Sequence, residues 1–127
     1  MILPNIFIAS ASGKGRGVFA AVDIDRGTII ETSPVIVMSA RERVLLDQTL
    51  LHDYIFEWGR EPKRCCMALG YVPLYNHSYS SNCEYEMDYE QEQISVKAIR
   101  FIRAGEELFL NYNGNWNDET PLWFEAE

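Results

Sequence analysis

GYVPLYNHSYSSNCEYEMD, residues 70–88, places Asn76, His77, Ser78 and Asn82 in one short polar segment between an apolar run and a strand-like one. Such a segment is either a metal or acid–base site, or a clasp whose side chains hydrogen-bond backbone and ligand. A zinc site would need more ligands. The only other histidine is His52, no carboxylate stands at ligand spacing, and no CxxC pair occurs. A nucleophilic pair of His77 with Cys66 or Cys83 has no supporting pattern around it. Asn and Ser commonly tie down neighbouring backbone, so a clasp needs no metal.

Downstream of this segment, Cys83–Met87 and Ile94–Ile99 read as a hairpin across the polar DYEQEQ, and Glu107–Asn111 reads as a strand after the turn at Ala104–Gly105. Upstream, Lys63–Leu69 reads as a short helix closed by Gly70. LLHDYIFEWG, residues 50–59, reads as a strand or a buried aromatic turn. Ser39, with Glu42 three residues on, forms the capping-box pattern for a helix to about Gln48. Thr28–Glu31 and Val35–Met38 are β-branched runs broken by Pro34, and Ile6–Ala9 and Val18–Ala21 are short strands around SGKGRG. That glycine-rich turn lacks the GxxxxGK[ST] spacing of a phosphate loop. Many short strands and few helices predict a mostly β, β-rich α+β domain.

The chain has 127 residues, enough for one core and short for two, so residues 1–127 are read as a single domain. No apolar run approaches the ~20 residues of a membrane helix, and no positive region precedes the apolar start as in a signal peptide. The three cysteines, two of them adjacent, fit reduced thiols in the cytoplasm better than a disulfide framework. The net charge of −8 argues against a direct nucleic-acid partner and suits a Lys/Arg-rich one.

Each motif alone is unspecific, and a tyrosine after a strand is ordinary packing. In order and together they are specific. Gly15-Arg16-Gly17-Val18-Phe19-Ala20, Asn76-His77-Ser78 with Asn82, and Ile102 through Gly105-Glu106-Glu107-Leu108 to Tyr112 resemble the SET-domain family of protein lysine methyltransferases. The compact length and ALGYVPLYNHS resemble its stand-alone viral and bacterial members. The resemblance covers about residues 7–116, leaving 117–127 as a short tail without cysteine.

The resemblance implies a SET fold of several short curved sheets with a knot-like C-terminal threading, and S-adenosylmethionine as cofactor with no metal. It implies that Lys14, Gly15, Arg16 and Gly17 cradle the cofactor, and that Asn76, His77 and Tyr112 contact it. Asn82 would brace the loop and Glu107 would pin the C-terminal segment. Tyr112 would be catalytic, its hydroxyl orienting the lysine amine rather than acting as a base. Tyr54, Leu110, Tyr112 and Trp116 would line the lysine channel, with Leu110, where many relatives carry Phe or Tyr, leaving room for di- or trimethylation. The implied substrate is a basic protein or histone-tail peptide, the implied assembly a homodimer, and the implied location the cytoplasm, or the nucleus of a viral host or eukaryotic source. Tyr79 and Ser81 depart from the Cys and Pro that many members have there. A catalytically weak binding module and a methyltransferase acting on a small-molecule amine are the alternative readings.

Overall fold

The structure, a computed structural model, describes residues 1–11, 13, 15–59 and 63–112. The expected site residues Lys14 and Trp116, and the expected tail at residues 117–127, lie outside the described residues.

Two sheets carry the described residues. The first holds β1 (Ile6–Ala11), β2 (Gly15–Ala20), β9 (Glu107–Leu110) and β6 (Asn76–His77), in the order β1-β2-β9-β6. The second holds β4 (Phe56–Glu57), β5 (Cys65–Ala68), β3 (Ile29–Met38), β8 (Gln93–Ala98) and β7 (Cys83–Asp88), in the order β4-β5-β3-β8-β7. One short helix, α1 (Ala40–Leu46), and 3-10 turns at Leu50–Asp53 and Val72–Leu74 connect them. The strand-rich, helix-poor fold and the β7–β8 hairpin are those the sequence predicts. So is the capping box: Glu42 N–H donates to Ser39 Oγ at 3.2 Å, and Ser39 N–H donates to Glu42 Oε1 at 3.0 Å.

Three local expectations are corrected. Lys63–Leu69 is not a helix: Cys65–Ala68 is a strand between β3 and β4, in register Met38↔Cys65 to Val35↔Ala68. Pairing on both edges outweighs a weak local helix preference. Cys65 and Cys66 point to opposite faces, and both are fully buried. Pro34 does not end a strand. It lies within β3 where the partner changes, pairing with Gln93 of β8 just before Val35 takes up β5, so its missing N–H costs no central ladder bond. Asn76-His77 is not loop but a two-residue strand, running parallel to Phe109-Leu110.

A bulge between Ile29 and Glu31 breaks the alternation of β3. Ile30 and Glu31 are both buried as a result, at 0% and 1% exposure. Ile30 joins Val18, Val72, Ile94, Val96 and Ile102 in one continuous core beneath both sheets. Burial of such aliphatic side chains stabilises by about 1.5–3 kcal/mol each before entropy is counted. β9 runs between β2 and β6, so segments far apart in sequence meet along one strand.

Candidate active site

Tyr112 follows β9 after Asn111, and β9 lies beside β6, so the parallel register brings Tyr112 next to His77. Tyr112 N–H donates to His77 Nδ1 at 3.1 Å. The neutral imidazole therefore carries its proton on Nε2. The rings of His77 and Tyr112 are 5.4 Å apart. The Tyr112 hydroxyl donates to the backbone carbonyl of Tyr75, the residue preceding β6.

Asn82 locks this junction from the other side. Its Oδ1 accepts Phe109 N–H at 2.8 Å, and its Nδ2 donates to the Glu107 carbonyl at 2.8 Å. One buried amide thus satisfies two backbone groups of β9. Asn76 Nδ2 donates to Glu107 Oε2 at 2.7 Å and to the Arg16 carbonyl at 3.1 Å, tying β6 to β9 and β2. The NHS segment is a clasp, and its first partners are protein backbone and the Glu107 carboxylate.

These elements border a cavity of about 830 Å³. Gly15 and Arg16 form one wall, Asn76, His77 and Tyr112 the floor, and Tyr54, Phe56 and Tyr85 an aromatic side. Phe56 packs edge-on to Tyr85 at 5.2 Å and to Tyr112 at 6.0 Å. The rest of the lining is mixed, with apolar Ile55, Pro73 and Leu74 beside a charged rim. Asp47, Asp53 and Glu57 line it with Arg43 and His52; His52 Nδ1 lies 2.9 Å from Asp47 Oδ1, and Arg43 Nη2 lies 3.6 Å from Glu57 Oε1. An apolar aromatic wall leading from a carboxylate-rich rim suits a long aliphatic chain ending in a cation.

Burial pushes the Tyr112 phenol well above its ordinary value, with Tyr85, Tyr54 and Glu107 adding to the effect. Burial also pushes Tyr85 up to about 12. Tyr112 is therefore a neutral hydrogen-bonding phenol at physiological pH and not a base.

Gly15, Arg16, Asn76, His77, Tyr54 and Tyr112 come together around one cavity from four separate stretches of chain. Gly17 stands behind the wall, against Asn76 and Glu107. Leu110, expected beside the reacting amine, is fully buried in the core and does not line the cavity. Sequence reasoning missed Phe56, Tyr85 and the charged rim. Phe56 had a signal, since it lies two residues from Tyr54 in the same aromatic run; Tyr85 had none beyond strand alternation.

Whether S-adenosylmethionine fits these residues is decided at Gly15. It borders the cavity with φ +74°, and a Cβ built on it meets nothing within 4 Å, so bare backbone faces open space there. With the aromatic side for an adenine or aliphatic group and the Glu107-held Asn76 at the floor, the residues present fit the cofactor.

Comparison with known proteins gives four matches. Residues 15–113 match the SET domain. The chain is 35% identical over 121 residues to a Schizosaccharomyces pombe protein named as a histone-lysine N-methyltransferase, H3 lysine-37 specific, covering 94% of this chain and 77% of the relative. Among solved structures, a Plasmodium falciparum protein named as a candidate histone methyltransferase superposes with a TM-score of 0.64 at 27% identity, over 87% of this chain and 99% of that one. A Chaetomium thermophilum Polycomb Repressive Complex 2 structure bound to S-adenosylmethionine superposes with a TM-score of 0.72 at 25% identity, over 89% of this chain and 16% of that one.

Proposed function

The chain belongs to the SET-domain family, and from that premise we propose that it is an S-adenosylmethionine-dependent protein-lysine methyltransferase acting on a basic, histone-like segment. The observation that carries the proposal is the partly buried Tyr112 hydroxyl bordering an aromatic cavity, donating to the Tyr75 carbonyl just ahead of β6.

When bound, S-adenosylmethionine supplies an activated methyl group. Gly15 and Arg16 hold the cofactor through backbone, and Asn76 and His77 bound its site from below. Tyr54, Phe56 and Tyr85 strip water from the methylenes of an incoming lysine, and Asp47, Asp53 and Glu57 attract its charge and that of flanking basic residues. The Tyr112 hydroxyl, protonated and fixed, orients the amine lone pair; solvent takes the lysine proton before transfer. Positioning and preorganised polar groups supply the acceleration. The proposal extends to a homodimer working in the cytoplasm, or in the nucleus of a viral host or eukaryotic source. Sedimentation of the purified chain at the monomer mass would overturn the dimer.

The test is transfer of labelled methyl to core histones by wild type and Tyr112→Phe, with cofactor binding measured by calorimetry. Label on a discrete protein that falls at least about 100-fold in the variant, at unchanged cofactor affinity, is expected. Cofactor binding with no label on any protein would replace the proposal with a binding module or a small-molecule methyltransferase.

A further inference from the structure

Glu31 is 1% exposed, and among the described residues it pairs with no cation. Its Oε2 accepts Ser33 Oγ at 2.6 Å and Tyr71 N–H at 2.7 Å, and its Oε1 accepts the Tyr75 hydroxyl at 3.0 Å. Buried carboxylates without a counterion are costly, and an apolar replacement of the same shape often stabilises a fold. This one has three donors arranged on it, and the mechanism above does not use it.

The arrangement has a direction. Tyr75 is completely buried, its ring packed in the core and its hydroxyl fixed by Glu31. The same residue's carbonyl receives the Tyr112 hydroxyl. Tyr75 is thus a strut fixed at one end to a buried carboxyl group and at the other to the hydroxyl that faces the reacting amine. Tyr71 N–H on Glu31 fixes the start of the 3-10 turn leading into that strut, so the carboxylate sets both ends of residues 71–75. The bulge in β3 is what turns Glu31 inward to do this.

We propose that Glu31 is a positioning residue for methyl transfer, acting through Tyr75 to set the place of the Tyr112 hydroxyl; this rests on the methyltransferase reading. A group that only stabilises the fold would lower melting temperature without altering the fate of Tyr112. A positioning group acts on turnover, and only while Tyr112 has a hydroxyl to position.

The experiment measures kcat for core histones and cofactor Kd for Tyr75→Phe and Glu31→Gln, each in wild-type and Tyr112→Phe backgrounds, well below the melting temperature. Each variant is expected to lower kcat about tenfold or more in the wild-type background. Cofactor Kd should stay within about twofold, and in the Tyr112→Phe background kcat should fall by less than about twofold further. An equal fall in both backgrounds, or undiminished kcat in the wild-type background, overturns the proposal. A second readout does not need activity. In protein labelled with 3-fluorotyrosine, the fluorine resonance lost in Tyr112→Phe identifies Tyr112; it should shift in Glu31→Gln and in the milder Ser33→Ala, and an unmoved resonance overturns the link. Wild type that transfers no methyl would sink the enzyme reading, while the resonance would still decide whether Glu31 governs Tyr112.

Discussion

Replacing Gly17 by alanine tests how tightly the site is built. Gly17 lies in β2, where its backbone takes no positive φ, so the cost of a side chain there is steric alone. The new Cβ would stand 2.4 Å from Glu107 Oε2, 2.9 Å from Asn76 Nδ2 and 3.1 Å from Glu107 Cδ. Glu107 must withdraw, and the 2.7 Å bond it accepts from Asn76 breaks. A hydrogen bond to a charged group contributes about 1.5–3 kcal/mol. Alanine returns about 0.5–1 kcal/mol against glycine within a strand. The net loss is about 1–2 kcal/mol, or a drop of about 3–8 °C in Tm for a domain of this size. Urea melts of Gly17→Ala, Glu107→Ala and the double variant measure it. With Glu107 truncated, the cost of Gly17→Ala should fall below about 0.5 kcal/mol, because the main obstacle is gone. An unchanged cost in that background would refute the contact as the reason for glycine.

Asn82→Ala leaves the Phe109 N–H and the Glu107 carbonyl buried without their partner, and a loss of about 2–4 kcal/mol in a denaturant melt is expected; a loss under about 1 kcal/mol would show that β9 finds other donors and acceptors. Burial pushes the Cys66 and Cys83 thiols up to about 12. The folded chain then keeps protons that the unfolded chain releases above about pH 8.5, so stability falls as pH rises, by up to about 1.4 kcal/mol per pH unit for each thiol. Urea midpoints at pH 8, 9 and 10 check this, and a flat profile contradicts it. All three thiols, fully buried, should react with a disulfide reagent only on unfolding; fast labelling of the native protein would contradict their burial.

How much the sequence could tell depended on where the deciding interaction lay. Ser39 and Glu42 bond each other three residues apart, and that cap was readable from the string. The β7–β8 hairpin was readable because its alternation and polar turn are local. Cys65–Ala68 was not, since one of its edges is claimed by β3, far back in the chain, and the other by a strand of only two residues. Gly15, Asn76, His77 and Tyr112 were found through family resemblance, and the structure brings them to one cavity. Leu110 shows the limit of that route. Its place two residues before Tyr112 suggested the channel, but strand alternation turns it into the core. Glu31 and Tyr75 carry no sequence signal, because a bulge decides that the carboxylate faces inward.

The placement of β9 between β2 and β6 also sets an order of events for a chain made from its N-terminus. β3, β8 and β7 can pair once residue 98 is available, but β2 and β6 gain their shared neighbour only when Glu107–Leu110 arrives. Until then the Asn82 amide lacks both of its β9 partners, Asn76 lacks Glu107, and the Tyr112 part of the site is missing. A nascent or truncated chain ending before β9 would therefore hold a hairpin sheet yet lack the methyl-transfer site, so competence would arrive late and all at once.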